Sequence, residues 1–176
     1  MKKIAIIGFG VVGSGVYEII RKNKEALTKK SGEEIDVKKI LDIRDFSDHK
    51  ESHLFTKDFN DLLNDGEIEI VVETMGGIKF AYEYTKALLE SGKSVVTSNK
   101  ELVAACGEEF FRIAKEKNVR YLYEASVGGG IPIIRPLAND ASANDIVEIS
   151  GILNGTTNYI LTKMFKENDS FESALK

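Results

Sequence analysis

The hexapeptide Gly8-Phe9-Gly10-Val11-Val12-Gly13, directly behind the apolar run Ile4-Ala5-Ile6-Ile7, constrains this chain more than any other feature. It is a G-x-G-x-x-G pattern in a strand–turn–helix setting, since the amphipathic positions Val12, Val16, Ile19 and Ile20 follow it. The spacing has a physical reading. Gly8 takes the backbone angles of a tight strand-to-helix turn, Gly10 has no side chain to hold a pyrophosphate away, and Gly13 lets the helix pack close to the strand. A diphosphate then faces the helix N-terminus, whose unpaired N–H groups and dipole attract anions. Many glycine-rich turns bind nothing, but a strand ahead and a helix behind favour dinucleotide binding over a plain structural turn.

The remainder of the chain fits that opening. Short β-rich runs at 3–7, 37–43, 68–73, 94–97 and 119–123 alternate with mostly helical stretches, which predicts an α/β fold built on a doubly wound parallel sheet. A helix over 79–91 carries Phe80, Tyr84, Ala87 and Leu88 on one face and stops at Gly92. Asn99 caps the next helix, which runs through Leu102, Phe110 and Ile113. The polar stretch 22–36 reads as a helix end plus loop. From Glu124 the pattern changes to a glycine-rich hinge, Glu124 to Pro132, then a strand expected over 146–153 and a helix over about 156–166, with Ser170 capping a last helix. The chain therefore divides into residues 1–128, a dinucleotide-binding domain, and residues 129–176, the start of a second domain.

With 176 residues, 43% of them hydrophobic, the chain buries about 70% of its unfolded surface, enough for a full domain. The 24 basic and 28 acidic side chains are interspersed, so no dense basic stripe marks a nucleic-acid binder. No apolar run approaches transmembrane length. Cys106 is the only cysteine, which excludes an intrachain disulfide, and Met1-Lys2-Lys3 leads into a short strand rather than the apolar core of a signal peptide. A soluble, reducing, cytoplasmic setting is expected.

Several other groups carry candidate chemistry. In a dinucleotide fold the residue ending the second strand discriminates ribose forms, an acid binding the 2′-hydroxyl and an arginine accommodating a 2′-phosphate. Here the run is Leu41-Asp42-Ile43-Arg44-Asp45, where Arg44 favours NADP while Asp42 and Asp45 leave NAD open; Lys57 offers a second positive charge. Lys100, in Thr97-Ser98-Asn99-Lys100, falls at the end of a strand and the start of a helix, the edge where open α/β sheets bind ligands. A cation there opposes the helix dipole unless an anion offsets it, so Lys100 is a candidate for holding substrate or cofactor charge. His49 and His53 stand four apart, but their setting is polar, no third ligand stands out, and a solvated loop is the simpler reading. Cys106 and the pair Phe110-Phe111 read as core.

Taken together, these segments resemble homoserine dehydrogenase. The resemblance rests on Gly8 to Gly15, on Val71-Val72-Glu73-Thr74-Met75-Gly76-Gly77, on Gly92 to Lys100, on Glu124 to Ile134 and on Gly151 to Leu161, and it spans essentially the whole chain. It implies a Rossmann-type domain followed by the beginning of an α+β catalytic and dimerisation domain. It also implies an enzyme that interconverts aspartate 4-semialdehyde and homoserine with NAD(P)H, in the route to threonine and methionine. Residue by residue, it implies cofactor contacts from Phe9, Gly10, Val11, Val12, Thr74 and Lys100, with Arg44 at the 2′-phosphate. It further implies a sodium ion on the backbone carbonyls of Glu124, Val127, Gly129 and Ile131, and substrate-side contacts from Gly155, Thr156 and Lys100. A hard cation wants oxygen ligands, and a glycine-rich bend turns carbonyls to one point.

In the family, the acidic substrate-binding residues and the proton-donating lysine lie beyond the helix that begins near Ser170, so full turnover is not expected of this polypeptide alone. Lys100 is the local candidate for stabilising a developing alkoxide. The competing reading is a non-catalytic dinucleotide-binding module or half of a split oxidoreductase. The apolar faces of 146–153 and of the helix bearing Tyr159, Ile160, Leu161, Met164 and Phe165 need a cover, which predicts a homodimer through residues 146–165.

Overall fold

The computed structural model describes residues 1–152 and 154–176. They form two compact units, Met1–Ser126 and Val127–Lys176. The first unit contains, in chain order, β1 (Lys2–Ile7), α1 (Val11–Lys22), α2 (Lys24–Ser31), β2 (Ile35–Leu41), β3 (Phe55–Thr56), α3 (Asn60–Leu63), β4 (Ile68–Glu73), α4 (Lys79–Glu90), β5 (Ser94–Thr97), α5 (Lys100–Glu116) and β6 (Tyr121–Leu122).

All strand pairs are parallel and the sheet order is β3-β2-β1-β4-β5-β6. The chain thus winds outward from β1 in one direction and, after crossing to β4, outward in the other, a doubly wound Rossmann-type α/β sheet. Such a sheet is covered on both faces, so in its centre apolar residues run in succession, Ile4–Ile7 in β1 and Ile70–Val72 in β4, rather than alternating. In β1 the side chains divide accordingly. Ala5 and Ile7 join Val71, Leu88, Leu102 and Phe110 on the face covered by α4 and α5, while Ile4 and Ile6 join Tyr17, Val37 and Ile40 on the face covered by α1.

Several boundaries differ from the sequence reading. The second strand ends at Leu41 rather than Ile43: the Asp42 N–H makes a last bond to the Thr56 carbonyl at 3.1 Å, while its side chain turns to the glycine-rich turn. The stretch 22–36, read as helix end plus loop, holds the separate helix α2, which stops at Gly32 in the left-handed conformation (φ 78°). The last strand is shorter than the expected 119–123. In α4 the buried face is Ala81, Thr85, Leu88 and Leu89, and Phe80 is exposed. Phe110 is fully buried, but Phe111 is 40% exposed, so only the first of the pair belongs to the core. Cys106 packs, partly buried, against the core.

The second unit contains α6 (Ile134–Asn139), α7 (Gly155–Lys166) and α8 (Phe171–Leu175), with α8 packed on α7. Asn154 and Ser170 cap the last two helices by accepting from the Thr157 and Ser173 N–H groups. The strand expected over 146–153 is not there: residues 146–152 take no strand conformation, and Leu153 lies outside the described residues. A strand needs a neighbour to complete its ladder, and no described residue of this unit pairs with the segment. No described helix is long and apolar enough to cross a membrane.

Candidate functional site

β1 and β4 lie side by side at the switch point, and the turns that leave their C-terminal ends meet there. The first is Gly8–Gly13. Gly8 takes φ 88°, which a side chain resists. Gly13 is held tighter still: a Cβ on it would stand 1.9 Å from the Gly8 carbonyl oxygen. The Thr74 hydroxyl locks the same point, lying 2.8 Å from the Gly8 carbonyl oxygen and 2.9 Å from that of Ile7, either of which accepts its proton. Thr74, expected to touch a cofactor, therefore also braces the turn.

Gly10 is the N-cap of α1 and offers no side chain to satisfy the helix terminus. The first intrahelical bond runs from the Ser14 N–H to the Gly10 carbonyl at 2.9 Å, so the amides of Val11, Val12 and Gly13 precede the ladder. Open space surrounds the position a Gly10 Cβ would take. Val11 is 92% exposed and Val12 is exposed too, apolar side chains left in solvent at an anion-attracting helix end. That combination suits a bound diphosphate.

The N–H of Phe9, which the resemblance implies as a cofactor contact, donates to Asp42 Oδ2 at 2.7 Å. Its ring packs edge-on against Phe46, His49 and Phe55. His49 is thus part of an aromatic cluster beneath the turn rather than of a solvated loop. Asp42 also accepts from the Arg44 backbone N–H (2.9 Å), Nε (3.0 Å) and Nη2 (2.8 Å). The Arg44 guanidinium holds the Asp42 carboxyl at about 2, well below the usual carboxylate range, so it is ionised at neutral pH. Asp42 is therefore an internal anchor, while Arg44, over half exposed, remains available.

A cleft of about 400 Å³ at this edge is lined by Gly8, Asp42, Arg44 and Lys57 on one side and by Met75, Phe80 and Tyr84 on the other. Arg44 and Lys57 also share a smaller hollow with Asp45 and Ser47. Sequence reasoning placed Phe80 and Tyr84 on one helix face with Ala87 and Leu88 and did not connect them with a ligand cleft. The available signal was their place in the first turns of a helix that starts at the sheet's ligand-binding edge. Tyr84 is fixed there by stacking on Phe59, ring centroids 4.0 Å apart.

Lys100 opens α5 on the same edge and is exposed, next to Asn99, whose side chain caps that helix by accepting from the Leu102 N–H. Glu73, the last residue of β4, is fully buried, and burial pushes its carboxyl above the usual range. The first unit thus brings together Gly8–Gly13, Arg44, Lys57, Thr74 and Lys100. Gly155 and Thr156 begin α7 in the second unit. Of the four carbonyl positions, Glu124 lies in a short 3₁₀ turn of the first unit, while Val127, Gly129 and Ile131 lie in the second, where Gly128 and Gly129 are left-handed (φ 73° and 60°).

Residues 8–124 match the family model described as the homoserine dehydrogenase NAD-binding domain, and residues 132–176 match that described as homoserine dehydrogenase. Among curated relatives, the homoserine dehydrogenase of Bacillus subtilis is 39% identical over 99% of this chain, which covers 41% of that protein. The Helicobacter pylori enzyme is 44% identical over 100% of this chain, covering 42% of that protein. The crystal structure of a homoserine dehydrogenase from Thiobacillus denitrificans superposes with a TM-score of 0.90 at 38% identity, over 99% of this chain and 41% of that one. A hyperthermophilic archaeal homoserine dehydrogenase solved in complex with NADPH does so with a TM-score of 0.83 at 31% identity, over 99% of this chain and 60% of that one. The chain spans about two fifths of the length of the curated relatives it matches. Sheet order, glycine-rich turn and both family matches converge on one assignment: the chain belongs to the homoserine dehydrogenase family.

Proposed function

We propose that this chain supplies the dinucleotide-binding part, residues 1–128, and the beginning of the catalytic and dimerisation part, residues 129–176, of a homoserine dehydrogenase. The reaction is the interconversion of aspartate 4-semialdehyde and homoserine, in a cytoplasmic setting. The observation that carries this reading is the uncapped N-terminus of α1 standing beside Arg44 on one sheet edge. The amides at Val11–Gly13 hold the diphosphate, and Arg44 with Lys57 takes a 2′-phosphate, so NADP is preferred to NAD. The archaeal relative solved with NADPH supports the same choice.

A nicotinamide dinucleotide held there would supply the hydride. The chain's residues then position and stabilise. Thr74 and Gly8 fix the turn against which the dinucleotide lies, and the exposed Val11 and Val12 cover it from water. Lys100 places a cation where a substrate carboxylate or developing alkoxide gathers charge. By family resemblance, Gly155 and Thr156 contribute on the substrate side, and carbonyls of Glu124, Val127, Gly129 and Ile131 hold a sodium ion. The left-handed Gly128 and Gly129, which bend the backbone sharply, support the latter.

Calorimetric titration with NADPH and NADH, beside a turnover assay with aspartate 4-semialdehyde, tests the reading. Tighter binding of NADPH supports the dinucleotide-binding part; turnover besides it supports the catalytic part, binding without turnover favours a cofactor-binding module, and failure to bind either nucleotide overturns the reading.

A further inference from the structure

Glu73 is a fully buried acid at the end of β4, and its carboxylate ties together two turns that are distant in sequence. One oxygen, Oε1, accepts the Met75 N–H at 2.7 Å, and the other, Oε2, is bonded by the Thr97 hydroxyl. Thr97 Oγ1 in turn accepts the Asn99 N–H at 2.9 Å. Asn99 closes the circuit: its Nδ2 donates to the Gly77 carbonyl at 2.7 Å, and its Oδ1 accepts the Leu102 N–H at 3.1 Å to cap α5. The turn after β4, Thr74–Gly77, and the turn after β5, Ser98–Lys100, are therefore joined by a ring of side-chain hydrogen bonds.

A leucine would fill the same volume without the cost of burying a carboxyl, but it would leave the Met75 N–H and the Thr97 hydroxyl without an acceptor. We propose that Glu73 is a positioning residue for the cleft, splinting the two turns so that Met75, on its wall, and Lys100, at the head of α5 on the same sheet edge, are held at fixed places. The inference rests on the dinucleotide reading above. It assigns Glu73 no contact with cofactor or substrate. Arg44 and Lys57, the candidates for the 2′-phosphate, line the same cleft as Met75 but take no part in this ring.

The test compares wild type, Glu73→Gln and Glu73→Leu in calorimetric titrations with NADPH and with adenosine 2′,5′-bisphosphate, which carries the adenosine half alone. Glutamine can still accept from Met75 and pair with Thr97, so it should bind NADPH within about twofold of wild type, whereas leucine should bind it at least about tenfold more weakly. All three should bind the bisphosphate alike. Equal NADPH affinity in the leucine variant, proportional loss of both ligands, or a glutamine variant as weak as the leucine one overturns the proposal. If Glu73→Leu does not fold, Thr97→Val, which removes only the linking hydroxyl, decides the matter: selective loss of NADPH affinity supports the splint, and unchanged or parallel affinities overturn it. Absence of any NADPH binding by wild type overturns the dinucleotide reading itself, and the splint with it.

Discussion

Arg44 grips Asp42 through two parallel hydrogen bonds, Nε to Oδ1 at 3.0 Å and Nη2 to Oδ2 at 2.8 Å, while Asp42 Oδ2 simultaneously accepts the Phe9 N–H of the glycine-rich turn. The arrangement bears on a choice that the run Asp42-Ile43-Arg44 left open. An acid whose oxygens already serve four donors is poorly placed to take a ribose hydroxyl, whereas a guanidinium has five N–H donors and spends only two on Asp42. Arg44→Ala should therefore weaken NADPH roughly ten- to hundredfold, the span of a hydrogen bond to a charged group, and leave NADH nearly unchanged. Calorimetric titration of both nucleotides checks this, and equal losses would sink it.

The same anchor predicts an acid sensitivity. Asp42 falls from 3.8 in the unfolded chain to about 2 in the fold, chiefly through the Arg44 hydrogen bonds. A depressed carboxyl stabilises fully above its unfolded pKa, and that contribution disappears as pH drops through the folded value. The window here runs from about pH 4 down to about 2. Discounted for the exposure of Arg44, the contribution is about 1–2 kcal/mol at neutral pH. Asp42→Asn should accordingly lose that stability at pH 7, and the gap to wild type should shrink below pH 4. Urea denaturation at several pH values measures it, and a gap that stays constant with pH would count against the anchor.

Gly10 and Gly13 share a motif but should fail differently. Gly10 has an ordinary φ of −76° and empty space where a Cβ would go, so Gly10→Val should keep its melting temperature and lose dinucleotide binding, the side chain occupying the pyrophosphate's place. Gly13→Ala drives a Cβ against the Gly8 carbonyl and should cost about 1–3 kcal/mol as overpacking, with binding lost as a consequence. Thermal melts beside NADPH titrations separate the two. A Gly10 variant that binds normally would make the turn purely structural.

What the sequence makes legible is what local pattern encodes. The glycine spacing, the apolar strands and the caps at Asn99 and Ser170 each depend on a few neighbouring residues, and each is found. What it hides depends on distant partners. Glu73 and Thr97 are far apart in the chain and meet because β4 and β5 pair, so no window of sequence reveals their bond. His49 lies in a polar segment, yet packs on Phe9 and Phe55 because the loop folds back under the turn. Of the stripe expected on α4, Leu88 is buried and Tyr84 packs partly buried against the core, but Phe80 stands in solvent because the smaller Ala81 and Thr85 approach the sheet. Residues 146–152 have the composition of a strand without a ladder to join.

That last segment carries the final prediction. Val147 is 96% exposed and Phe165 84%, with Ile152, Tyr159 and Leu161 also in solvent. None of the α7 residues is buried. Scattered apolar side chains on a surface are ordinary, but a concentration of this kind within residues 146–165 marks an interface or an aggregation liability. This chain should therefore self-associate in solution, most simply as a two-fold dimer through residues 146–165, since a closed two-fold contact buries the same patch on both copies. Val147→Asp with Phe165→Asp should shift the equilibrium towards monomer without changing NADPH affinity, because both lie outside the dinucleotide-binding unit. Sedimentation across a concentration series measures it: a wild-type chain that stays monomeric throughout, with exchange-protected amides over 146–165, would show that the second unit closes on itself and that no such interface exists.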